Sequence, residues 1–244
     1  MTGLRPSRPG RAAEGQAGGI ADLDIVRHPT ARRCTLSFDP ASGRARLVIP
    51  KRAALKPALA WAADKAAWLA EQRARLPAPR PFAPGTVLTV ADEELTIVRD
   101  AGPRRAVRRE DDRLLLAGPE ETIPRRVDAW LRRAALDLLT RETAEFAAKA
   151  GVTVGTVAVG DPRRRWGSCA WSGAIRYSWR LVLAPGWVRR ATVAHEVAHR
   201  VHMNHGPQFH ALVASLLGED PMPARAWLRE HGAALHWVGR AGPG

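Results

Sequence analysis

Residues 187–203 read Trp187-Val-Arg-Arg-Ala-Thr-Val-Ala-His195-Glu196-Val-Ala-His199-Arg-Val-His-Met203. Pro185 precedes the run and no helix breaker interrupts it, so it is expected to form one helix. Val193, Val197 and Val201 recur every four residues and predict a buried stripe. Within the run lies His195-Glu196-Val197-Ala198-His199. Two histidines four apart stand roughly 6 Å from one another along the helix axis and on nearly the same face, so both imidazoles can reach one ion. Glu196, beside the first of them, is placed to take a proton from a zinc-activated water as that water attacks a carbonyl. With eight His and twelve Glu in 244 residues, composition alone produces roughly 0.01 such matches. The pattern therefore outweighs a surface helix that bears these residues by accident.

A catalytic metal needs a third protein ligand and one open position. His202 lies seven residues beyond His195, roughly 10 Å up the axis, and diverges from the site. His205 is better placed. Met203-Asn204-His205-Gly206-Pro207 reads as a helix stop, since Asn tolerates the left-handed conformation and Gly-Pro cannot continue the helix. Such a turn can swing His205 back toward the ion. The spacing equals that of metzincins, but His202 occupies the position where they carry glycine, which weakens that reading.

A second constellation is Arg163-Arg164-Arg165-Trp166-Gly167-Ser168-Cys169, followed by Ile175-Arg-Tyr-Ser-Trp-Arg-Leu-Val-Leu183. The latter alternates and then turns apolar, as a strand with one buried face does. Cys169 lacks the nearby second Cys of a thiolate metal site, so a small packed residue is its expected role. The arginine run reads as a solvated loop slightly ahead of a contact to phosphate or acidic peptide. Tyr177, Arg176, His202 and His210 are candidates for contacting the tetrahedral oxyanion or the substrate, by sequence proximity alone.

Working outward, residues 1–22 are rich in Gly, Pro, Ala and Arg and are expected to be a disordered basic tail. Cys34–Phe38 and Arg44–Ile49, joined by a turn-forming Asp39–Gly43, predict a hairpin. Residues 57–76 predict one helix, with Trp61 and Trp68 packing it against a sheet. Short alternating runs at 86–91, 94–99, 105–109 and 113–116 predict a small antiparallel sheet. Residues 125–150 are the longest helical pattern, with Val127, Leu131, Ala134, Leu138, Ala144 and Phe146 inward and Gly151 as its stop. The expected division is a β-rich subdomain with one helix at 23–120 and the chemistry-bearing domain at 121–240.

Two cysteines exclude a disulfide scaffold, and no apolar run approaches the ~20 residues of a membrane helix. The N-terminus has no apolar core of a signal peptide, so a cytoplasmic protein without a membrane partner is expected. The formal charge is +14, carried by 34 Arg and 4 Lys against 24 acidic residues. It points to DNA or another acidic partner, although an arginine skew also follows from genome base composition.

The stretches RRRWGSC, IRYSWRLVLAP, HEVAHRVHMNHGPQFH and ARAWLREHGAAL together resemble the YgjP/SprT-like zinc metallopeptidases, gluzincin-like zincins, from about Leu23 to about Trp237. The resemblance implies Zn2+ on His195, His199 and His205, with Glu196 as general base. It also implies that the WGSC segment and the following strand form the sheet edge beside the active-site helix. Ser178 stands where the family often has Asn, and His210 where it usually has Trp, which leaves His210 as a conceivable alternative ligand. The fold class expected is α+β: a β-rich N-terminal half, then a compact zincin-like catalytic half with scaffold helix, small twisted sheet and active-site helix. The expected activity is zinc-dependent hydrolysis of a peptide or protein substrate. The rivals are a nucleic-acid-associated protein with a non-catalytic zinc and a zinc hydrolase of a non-peptide bond.

Overall fold

The structure, a computed structural model, describes residues 23–102 and 106–241. The expected tail at 1–22, and residue 105 of the expected 105–109 run, lie outside the described residues. The chain divides into two compact units between Arg75 and Leu76.

In the first unit, β1 (Leu23–His28), β2 (Thr35–Asp39) and β3 (Arg44–Pro50) form a sheet of order β1-β3-β2. β2 and β3 are the expected antiparallel hairpin, with Thr35 opposite Val48. Asp39 builds the turn by accepting from Ser42 Oγ at 2.7 Å and from the Ala41 amide at 3.0 Å. β1 adds in parallel to β3. Two helices follow instead of one, α1 (Leu55–Ala63) and α2 (Ala66–Ala74), because Lys65 leaves the helical conformation at ψ 12°. Leu47, Ile49, Ala58 and Ala62 make the core of this unit. Trp61 and Trp68 are both more than a third exposed, so small alanines, not the expected indoles, pack α1 on the sheet.

The second unit begins with β4 (Val87–Val90), β5 (Glu93–Asp100), β6 (Arg108–Glu110) and β7 (Arg113–Ala117), in the order β4-β5-β7-β6. The sheet is mixed, not purely antiparallel, because β5 and β7 run parallel with Thr96 opposite Arg113. α3 (Ile123–Ala150) follows as the 28-residue scaffold helix, roughly 40 Å long, and ends on left-handed Gly151 as expected. Its buried face is the strict i,i+4 row Ile123, Val127, Leu131, Ala135, Leu139, Thr143 and Ala147, joined by Glu142 and Phe146. That row displaces Ala134 and Leu138 from the centre of the expected face and leaves Ala144 exposed.

β8 (Val157–Gly160), β9 (Gly167–Cys169) and β10 (Ile175–Ser178) form a third sheet of order β8-β10-β9, with β8 parallel and β9 antiparallel to β10. The strand expected to run to Leu183 stops at Ser178, where a 3-10 turn over Trp179–Leu183 begins. Arg180 in that turn is buried and donates to both Asp161 carboxylate oxygens, at 2.7 and 3.1 Å. It also donates to the carbonyls of Leu235 and Val238 at 2.6 and 3.0 Å. One guanidinium thus ties the segment after β8 to the chain's last helix.

α4 (Gly186–Ala198), α5 (Pro207–Leu217) and α6 (Met222–Leu235) complete the unit. The architecture is α+β, with the strands mostly in the N-terminal half and the helices mostly in the C-terminal half. Among the described residues no helix is long and apolar enough to cross a membrane.

Candidate metal centre

α4 is held at both ends. At its start, Asp92 in the left-handed turn between β4 and β5 accepts from the Gly186 amide at 2.6 Å, and Ala91 donates to Val182 O at 2.8 Å. A carboxylate at a helix N-terminus meets the positive end of the macrodipole. At the other end α4 stops at Ala198, five residues short of the expected run. The amides of Arg200 and Val201 turn back to Val197 and Ala198. Val193 and Val197 are fully buried as the stripe predicts, whereas Val201, past this stop, is exposed.

The early stop places His199 at the helix terminus and lets the following turn come back over it. The ligand atoms of His195, His199 and His205 all lie within 4.8 Å of one another. His195 Nε2 and His205 Nε2 are 3.2 Å apart, and His199 Nδ1 lies 3.1 Å from the His202 carbonyl oxygen. A carbonyl only accepts, so His199 carries its proton on Nδ1 and keeps the Nε2 lone pair for an ion. His202 thus serves the cluster through its main chain.

Phe209 lies in the first turn of α5, fully buried, and is the floor of the cluster. Its ring centroid is 4.8, 4.6 and 4.8 Å from those of His195, His199 and His205. Burial, followed by the neighbouring His199 charge, presses the His195 imidazole down to about 3, and burial lowers His199 as well. Both rings are therefore neutral at physiological pH, the form in which imidazole ligates a metal. Three imidazoles whose ring nitrogens converge fit a metal ion, and three protein ligands leave a fourth position open.

Glu196 is buried beside this cluster, and burial pushes its carboxyl up to about 7 against the pull of the Arg165 guanidinium. Gly167, at the start of edge strand β9, closes one side of it. A Cβ at 167 would sit 2.6 Å from Glu196 Cγ, so only glycine fits there. Trp166 is seated in the same way: a Cβ on Gly232 of α6 would meet its ring at 2.7 Å. Its carbonyl accepts from the Ser178 amide at 2.8 Å. Ser178, where the family often has Asn, instead accepts from the Arg180 amide with its hydroxyl at 3.4 Å.

The other candidates fall in different places. Tyr177 is fully buried on the inner face of β10 and bonds Thr143 of α3 at 3.0 Å, and burial drives its phenol far up. It is withdrawn from any substrate and is a packing residue. Arg176 points to the opposite, exposed face of β10, by Gly160. His210 stays near the cluster, exposed, with its ring 6.4 Å from His205, and it is outside the three-histidine group. Cys169 is half-buried against the core, and burial raises its thiol.

Phe209 and Arg225, which lies 3.2 Å from His195 Nδ1, were not legible as site residues. Gly167 did leave a signal, a lone glycine in a strand pattern, which marks close backbone approach.

A helix-borne histidine pair completed by an imidazole from the return turn, with a buried carboxylate alongside, is a group that could hold a metal ion. The chain belongs to the YgjP-like family: the YgjP-like metallopeptidase domain matches residues 33–231. No curated protein and no solved structure matches the chain.

Proposed function

We propose that the protein is a zinc metallopeptidase, with His195, His199 and His205 as the zinc ligands and Glu196 as general base. Residues 121–240 would be its catalytic domain and 23–120 a β-rich accessory region. Zinc held there would supply Lewis-acid polarisation of a scissile carbonyl and would lower the pKa of a water. Glu196 takes the proton of that water and hands it to the leaving amine. A carboxyl near 7 suits both transfers at neutral pH, since it accepts and releases a proton at little cost. Phe209 and the His202 carbonyl orient the imidazoles, and Gly167 leaves Glu196 room at the edge strand. The substrate class is peptide or protein.

The observation that carries this reading is the joint placement of three convergent imidazoles and a buried carboxylate on the same helix and its return turn. A structural zinc site would be closed by four ligands, commonly thiolates, and Cys169 is not among the group. Metal analysis and cleavage of casein by the wild type and Glu196→Gln test it. Zinc retained with cleavage abolished is expected, and unchanged cleavage in the variant would overturn it.

A further inference from the structure

Beside Glu196 and His195 opens a cavity of about 250 Å³ between α4, α5, α6 and the loop before β9. Val213, Ala224 and Leu228 give it an apolar floor and Trp166 a flat wall, while Arg165 and Arg225 stand in its lining. The lining holds two guanidinium groups against one carboxylate, that of Glu196. Arg165 is exposed, and its electrostatic partner is Glu196. The Arg225 guanidinium has a single hydrogen-bond partner among the described residues, His195 Nδ1 at 3.2 Å.

That pairing cannot survive metal binding. A guanidinium only donates, so the imidazole must accept on Nδ1. When Nε2 ligates an ion, the neutral ring carries its proton on Nδ1, and two donors then face each other. Arg225 is left without an acceptor, next to an apolar pocket of side-chain size and beside the proposed catalytic carboxylate.

We propose that this pocket is a specificity site for a substrate carboxylate, with the guanidinium of Arg225 as its principal donor and Arg165 as the second. The proposal rests on the peptidase reading and names the substrate class of that same site. The apolar floor receives the methylene or backbone portion of the residue, and the two guanidiniums bond the carboxylate oxygens in the forked geometry that Arg favours. Asp or Glu side chains and a free peptide C-terminus share this chemistry.

The test uses the zinc-loaded, full-length Glu196→Gln chain, so that binding is read without turnover. Three peptides of equal length are titrated by calorimetry: one with an internal Glu and an amidated end, its Gln counterpart, and a neutral peptide with a free C-terminal carboxylate. Tighter binding of the Glu peptide than the Gln peptide, by roughly tenfold, identifies a side-chain carboxylate. The same advantage confined to the free-terminus peptide identifies the chain end. In either case adding Arg225→Gln should remove the preference, and adding Arg165→Gln, at an exposed position, should weaken it. Equal binding of all three peptides, or a preference that survives both arginine substitutions, overturns the pocket. Displacement of the Glu peptide and the Gln peptide alike by an oligonucleotide would do the same. Casein cleavage by the wild type stands apart: cleavage without acid preference sinks the pocket alone, and its absence sinks the peptidase reading.

Discussion

The α-carbon of Gly167 lies against the carboxylate arm of Glu196, so closely that a methyl group at 167 would stand 2.6 Å from Cγ and 2.7 Å from Cδ. The edge strand β9 and α4 approach each other through this one missing side chain. In Gly167→Ala either β9 or the Glu196 rotamer must shift, while the three imidazoles, carried by α4 and its return turn, stay in place. We expect zinc content to be retained, casein cleavage to fall at least roughly tenfold, and stability to drop by about 1–3 kcal/mol in thermal unfolding. Full activity would show that Glu196 does not need its present position.

His205 and His202 separate cleanly. His205→Ala removes an imidazole from the cluster and should cut zinc content sharply by elemental analysis, whereas His202→Ala keeps the main-chain carbonyl that holds His199 and should leave zinc unchanged. Equal zinc in both variants would eliminate His205 as third ligand.

Phe209 supports all three imidazoles from below and is fully buried. Phe209→Ala should cost about 3–5 kcal/mol of stability by cavity formation. Phe209→Leu refills most of the space yet removes the flat ring beneath the histidines, so it should lose zinc affinity out of proportion to its stability loss. A chelator competition titration beside a melting curve distinguishes the two effects.

The half-buried His195 and the buried Glu196 oppose each other when metal-free protein is acidified. His195 titrates near 3 when folded and ordinarily at 6.5, so its contribution to stability is present above 6.5 and is lost as pH falls. Glu196 titrates near 7 when folded and ordinarily at 4.5, so its contribution is present below 4.5 and is lost as pH rises through 7. Between 6.5 and 4.5 these two contributions offset. Glu196→Gln removes the second and leaves the first. In chelator, the variant should therefore lose unfolding midpoint steadily from pH 6.5 to 5, more steeply than wild type. At pH 8, where wild type buries a carboxylate, the variant should be the more stable by on the order of 3 kcal/mol. Parallel slopes would contradict the assignment.

The histidine pair, the acid beside it and the third histidine were readable because they follow from short-range geometry: a four-residue helical repeat and a Gly-Pro stop need no distant partner. The scaffold helix with its glycine stop and the β2–β3 hairpin were readable for the same reason. Sheet composition was less so. The parallel pairing of β5 with β7 depends on a crossover that alternation does not reveal, and the break at Lys65 interrupts an otherwise continuous helical pattern. Tyr177, near the motif in sequence, is turned inward because alternate residues of β10 face opposite sides and its side faces α3.

Local pattern, then, was enough to bring His195, Glu196, His199 and His205 forward as a candidate site, and the structure gathers the three histidines into one group. Long-range packing settled the rest. The end of α4 at Ala198, the ring of Phe209 under the imidazoles, the glycine at 167 that admits Glu196 and the arrival of Arg225 beside His195 each bring together residues from separate elements. Such contacts arise from close packing of side chains in three dimensions, which no periodicity along one element encodes.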